Sequence, residues 1–163
     1  DYGTANPCSF GLWGLSGGIW YRVKEYYYAS RSTGVQLTDQ EYAAELTRLA
    51  SQHRIRCVVA DPSAASFITA LRQAGYRVIK ADNDVLSGIR ITADLLKRGR
   101  IVICDTCEDC LREIALYRWS EETSGRDAPH KDNDHAMDDM RYFAVTMAVR
   151  EDSEGVFCSV ARG

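Results

Sequence analysis

The segment Ile55-Arg56-Cys57-Val58-Val59-Ala60 constrains the fold most: it is almost continuously apolar, of strand length, and stopped by Asp61-Pro62. A strand with one face in water alternates apolar and polar residues, so an almost unbroken run predicts a parallel strand covered on both faces. The flanking segments agree. Upstream, Thr38 and Glu41 form a capping box, and Tyr42, Leu46 and Leu49 recur at helical spacing, which predicts a helix over 39–52. Downstream, Pro62 suits a first helical turn and Gly75 a helix end, so a helix is expected over 62–74. A strand over 76–81, a helix over 85–98 closed by Gly99, a short strand over 100–103 and a helix over 107–116 follow.

The first thirty residues have a different texture. Ser9 to Trp13 and Ile19 to Tyr28 are aromatic and β-branched, with Gly17-Gly18 as turn material between them, which reads as a β-meander. If Asp1-Tyr2-Gly3 ends an earlier strand, three antiparallel strands open the domain and the sequence begins inside a larger protein. The expected fold is therefore α/β, a mixed sheet with antiparallel strands first and parallel strands after, flanked by helices. Residues 121–133 lack periodicity and are expected to form a long surface loop or irregular hairpin. A last helix over 134–150 places Met137, Met140, Ala144, Met147 and Ala148 on one face. The domain is expected to span 1–150, with 151–163 as a peripheral tail.

A length of 163 residues suits one domain with one core. No apolar run reaches the roughly 18 residues of a membrane span, and the N-terminus lacks a secretory layout, so a soluble intracellular protein is expected. The six cysteines make no disulfide-like framework. Cys104-x2-Cys107-x2-Cys110 lacks the fourth ligand that structural zinc requires, and buried thiols are the expected outcome. A net charge of −3 is too low to hold nucleic acid by charge alone. Any nucleic acid would need a local basic patch, a metal or another domain. Arg126, His130 and Lys131, in the loop before the last helix, are the candidate patch, set against the commoner case of solvated loop charges. Tyr26-Tyr27-Tyr28, with Trp20 and Tyr21, fit cross-strand pairs better than a base-stacking platform.

Three carboxylates stand out. Asp61 sits at the carboxyl end of a buried strand, where open α/β sheets collect ligands, although capping the following helix is an equal alternative. Asp138 lies in the second turn of the last helix, with His135 three residues earlier on the same side. Asp132, Asp134 and Asp139 read as an acidic helix start that complements the helix dipole. Asp1 is undecided from position alone. Together, carboxylates from separated segments are what divalent cations need.

The order Asp1-Tyr2-Gly3, Val59-Ala60-Asp61-Pro62 and Asp134-His135-Ala136-Met137-Asp138-Asp139-Met140-Arg141-Tyr142 resembles the C-terminal nuclease domain of the large terminase subunit of tailed bacteriophages. The resemblance runs from Asp1 to about Val149 and includes Asn83, Gly88-Ile89 and Leu116-Tyr117-Arg118-Trp119. It implies a ribonuclease H-like fold, with Asp1, Asp61 and Asp138 as a metal-binding acidic triad and His135 in a supporting catalytic role. It further implies an endonuclease that cleaves concatemeric double-stranded viral DNA during genome packaging, by hydrolysis with two Mg2+ or Mn2+ ions. The implied setting is the cytoplasm of an infected bacterial host, with an ATPase motor domain of the same protein, a small terminase subunit and a portal as partners. No phosphate-cradling Gly-rich loop with Lys-Ser/Thr is present, so the motor is not among these residues. The alternatives are a ribonuclease H-like nuclease for branched DNA or RNA–DNA hybrid, and a non-catalytic docking module.

Overall fold

The computed structural model describes residues 8–29, 34–117, 134–148 and 156–162. Strands β1 (Cys8–Ser16) and β2 (Ile19–Tyr28) form an antiparallel hairpin. Its turn needs two residues at positive φ, which Gly17 (57°) and Gly18 (75°) adopt without a Cβ penalty. Helix α1 (Asp39–Leu49) begins with the expected capping box: Thr38 accepts the Glu41 N–H at 3.3 Å, and Glu41 accepts the Thr38 N–H at 2.7 Å. Then come β3 (Ile55–Ala60), α2 (Ala65–Gln73), β4 (Val78–Lys80), α3 (Val85–Lys97), β5 (Ile101–Ile103) and α4 (Glu108–Leu116). The chain continues with α5 (His135–Phe143), which runs into a π-helical turn at Ala144–Ala148, and ends with β6 (Val156–Arg162).

The six strands lie in the order β4-β3-β6-β1-β2-β5. β1 is antiparallel to both neighbours, while β3 is parallel to β4 and β6, and β2 to β5. The mixed α/β sheet therefore matches expectation, but the segment expected to be peripheral does not. Residues 156–162 form the strand wedged between β3 and β1, where Val59 pairs with Ser159 and Phe10 with Val160. The tail is thus part of the sheet. Its run Val156-Phe157-Cys158-Ser159-Val160 has strand length and β-branched character, signals that the polar Glu151–Glu154 ahead of it obscures.

Alternation along β3 explains the layers. Val58 faces a core built with Tyr42 and Leu46 of α1 and Phe67 and Leu71 of α2. Cys57 and Val59 face the opposite core, shared with Leu95 of α3, Cys110 of α4 and Met137, Met140 and Phe143 of α5. The β3 run is apolar because both its faces are covered. Phe143 fixes α5 against the hairpin, stacking on Trp13 at 4.2 Å and meeting Trp20 edge-on at 4.9 Å. The tyrosines of β2 are largely cross-strand and packing residues, as with Tyr26, which pairs with and stacks on Phe10 at 5.0 Å.

Candidate active site

Since β2, β3, β4, β5 and β6 all run one way, their carboxyl ends share one edge of the sheet. Asp61 emerges there, directly after Ala60. Its Oδ1 accepts the Ser63 N–H at 2.9 Å, closing a tight turn, and α2 starts only at Ala65 with no side-chain cap. The carboxylate therefore shapes the turn between strand and helix and does not cap the helix itself. Its second oxygen, Oδ2, accepts the Tyr142 hydroxyl at 3.1 Å.

Tyr142 lies one helical turn beyond Asp138 on α5, so this hydrogen bond brings the β3 end and the α5 carboxylate into one neighbourhood. Burial, followed by the nearby Asp138 and Asp61 carboxylates, pushes the Tyr142 phenol up, which keeps it a donor at neutral pH. The Asp138 side chain is 34% exposed. Its Oδ1 accepts from both Nε (3.2 Å) and Nη2 (2.8 Å) of Arg141, and no donor among the described residues reaches Oδ2. Arg141 is itself fixed, since Nη1 donates to the carbonyls of Asn83 (3.3 Å) and Asp84 (3.4 Å) and the guanidinium covers the Tyr142 ring at 4.7 Å.

Gly88 on α3 makes room for that arginine. A Cβ there would sit 2.5 Å from Arg141 Cγ and 2.7 Å from Cδ, so the stem of the side chain would have to move. Gly88→Ala is expected to lower stability by about 1–3 kcal/mol through overpacking, measured as a shift in the urea midpoint.

His135 is half-buried at the first position of α5, three residues before Asp138 and on the same side of the helix. Asp1, Arg126, His130 and Lys131 lie outside the described residues. Among the described residues, no three His, Cys, Asp or Glu side chains converge as a cation site. The Asp61–Tyr142 hydrogen bond thus ties one expected carboxylate to the helix that carries another, Asp138. The fold also moves Asp139 from the solvated helix start expected of it into the core, where the side chain is fully buried and ion-paired with Arg22 at 2.8 Å. Of the three spaced thiols, Cys107 and Cys110 are buried, and burial pushes them up to about 11 and about 12.

No protein-family model and no curated protein sequence matches the chain. Solved structures do. The large terminase of a thermophilic bacteriophage, in complex with ADP, aligns with TM-score 0.87 and 48% identity over 92% of this chain. The large terminase nuclease of thermophilic phage G20c with bound cobalt aligns over 90% of the chain and 78% of its own length, with TM-score 0.67 and 14% identity, a likeness of fold. The fold of this chain is that of the terminase nuclease. The chain spans 39% of the ADP-bound large terminase.

Three residues that carry no expectation from the sequence shape this geometry, Tyr142, Arg141 and Glu113. Tyr142 and Arg141 stand within the Asp134–Tyr142 motif, and their spacing from Asp138 (i+4 and i+3) is the signal that could have found them. Glu113 of α4 carried no such signal, because everything it touches is distant in sequence.

Proposed function

We propose that this domain is a divalent-metal-dependent endonuclease that cuts double-stranded viral DNA during genome packaging. The observation that carries the proposal is the Asp61–Tyr142 hydrogen bond, which ties the carboxyl end of β3 to the helix that bears Asp138. The likeness to the ADP-bound large terminase and to the G20c terminase nuclease supports it. Carboxylate oxygens are hard donors of the kind Mg2+ and Mn2+ take, so the donor chemistry fits, with Asp1 as the third ligand and two ions as the expected complement. Bound there, the metal would supply positive charge for activating water and for the leaving oxygen.

The chain's own residues do the rest. Arg141 holds Asp138 by one oxygen and leaves the other for a ligand. Tyr142 fixes the orientation of Asp61. His135, one turn before Asp138, would ligate metal, orient the water or only bond Asp138. Double-stranded DNA is held in part by Arg126, His130 and Lys131, and by the motor domain, small terminase subunit and portal in the assembled packaging machine.

Purified protein is expected to nick and linearise plasmid DNA with Mn2+ or Mg2+. Asp61→Asn and Asp138→Asn should each lower the rate at least about a hundredfold, the scale of losing one charge-stabilising group. Undiminished cleavage by both variants would overturn the assignment. A panel of branched DNA and RNA–DNA hybrid, run alongside, tests the choice of substrate.

A further inference from the structure

Neither α4 nor α5 has a side-chain cap at its own N-terminus: the preceding residues, Cys107 and Asp134, make no capping hydrogen bond. The first N–H groups of a helix have no partner within it, and inside a core they need one from elsewhere. Both helices are capped from another element, and by the same device. Glu25 of β2 accepts the second and third N–H groups of α4, those of Asp109 (2.6 Å) and Cys110 (3.1 Å). Glu113 of α4 then accepts the second and third N–H groups of α5, those of Ala136 (2.7 Å) and Met137 (3.3 Å), both through Oε2. Its other oxygen accepts the Tyr27 hydroxyl at 2.6 Å, so β2 braces this second clamp as well.

The two carboxylates form a relay from the sheet to α4 and from α4 to the first turn of α5. That first turn holds His135, and the next residue after the clamped pair is Asp138. We propose that Glu113 is a positioning residue for the metal-binding site, holding the start of α5 so that Asp138 and His135 meet the β3 end. Glu113 is fully buried, touches neither Asp61 nor Asp138, and acts only through the backbone of Ala136 and Met137. The proposal rests on the reading of Asp138 as a metal ligand. Outer partners of a metal site commonly matter to metal affinity or activity by about 10–100-fold.

Two variants separate geometry from charge. Glu113→Met keeps the length and fills the space but offers no acceptor. Glu113→Gln keeps an oxygen toward Ala136 and Met137 and can donate its amide to Tyr27. Mn2+ affinity by calorimetry is expected to weaken about tenfold in Glu113→Met and to stay within about threefold of wild type in Glu113→Gln. Amide hydrogen exchange at Ala136 and Met137 should accelerate at least about tenfold in Glu113→Met and little in Glu113→Gln. Wild-type affinity and protection in Glu113→Met would overturn the proposal, and so would a Glu113→Gln variant as impaired as Glu113→Met, which would assign the effect to charge. A wild-type protein that binds no Mn2+ overturns the proposed function and the metal part of this inference. Exchange then still decides whether Glu113 holds the helix.

Discussion

Asp139→Ala is expected to destabilise the domain by about 3–5 kcal/mol, the cost of leaving a buried charge without its partner. Asp139 and Arg22 are both fully buried in the core between β1, β2 and α5, 2.8 Å apart. The carboxylate also accepts from Ser9 Oγ at 2.8 Å and from Ser159 Oγ, and Trp13 Nε1 donates to that same serine at 2.7 Å. Removing the carboxylate strands the guanidinium, because Glu25 at 3.4 Å is its one other charged partner among the described residues. Burial works against the arginine's charge, yet Asp139, Cys110 and Glu25 together more than offset it and hold Arg22 above its ordinary range. Arg22 remains charged in the variant and cannot escape by losing a proton.

The pair is not an efficient source of stability. Arg22 Nε and Nη1 meet no acceptor among the described residues. Replacing both partners, as in Arg22→Met with Asp139→Leu, is therefore expected to cost less than Asp139→Ala alone, since no charge is left buried. Urea denaturation of the two single variants and the double variant measures this as a coupling energy. A double variant that loses as much as the two singles combined would contradict it. Gly11 belongs to the same design, because a Cβ there would overlap the Arg22 guanidinium, so the glycine in β1 is what lets the arginine lie across the sheet.

What could be read from sequence was whatever leaves a local trace. The covered strand 55–60 showed as an apolar run, the capping box as Thr38 with Glu41, and the hairpin turn as two adjacent glycines, and each stands where its pattern placed it. Boundaries were less legible. Pro62 marks a turn held by Asp61, and α2 waits until Ala65. The expected last helix turns π-helical at Ala144, where Thr146 meets the Asp82 N–H at 3.3 Å, a contact no periodicity encodes. Buried charge was the hardest to see. Nothing in the sequence near Asp139 announces Arg22, which is 117 residues away, and an acidic helix start is the commoner fate of such an aspartate. The central place of β6 was hidden for the same reason, since strand order is set by pairing between segments far apart.

Glu113 gives the second large effect, one that depends on pH. Burial, opposed only in part by the Tyr27 hydroxyl and the Ala136 and Met137 N–H groups, pushes its carboxyl up to about 7, from 4.5 for an exposed glutamate. A carboxyl with a raised folded-state pKa binds its proton more tightly when folded than when unfolded. Its contribution to stability is then fully present below the unfolded value and lost as pH rises through the folded one. From about pH 5 to about pH 8 the loss amounts to roughly 2–3 kcal/mol. Tyr27, whose hydroxyl bonds Glu113, and Arg112, whose guanidinium lies 5.5 Å from the Tyr27 ring, are the polar groups facing it, and both stay protonated across that range. Glu113→Gln removes the titration while keeping an oxygen on the α5 amides. The stability of wild type relative to Glu113→Gln should therefore fall by roughly 2–3 kcal/mol over this interval, read from urea midpoints at each pH, with all other ionisable groups common to both proteins. A difference that stays constant with pH would mean that Glu113 titrates as an ordinary exposed carboxylate, and that the Ala136 and Met137 amides hold a group already ionised at pH 5.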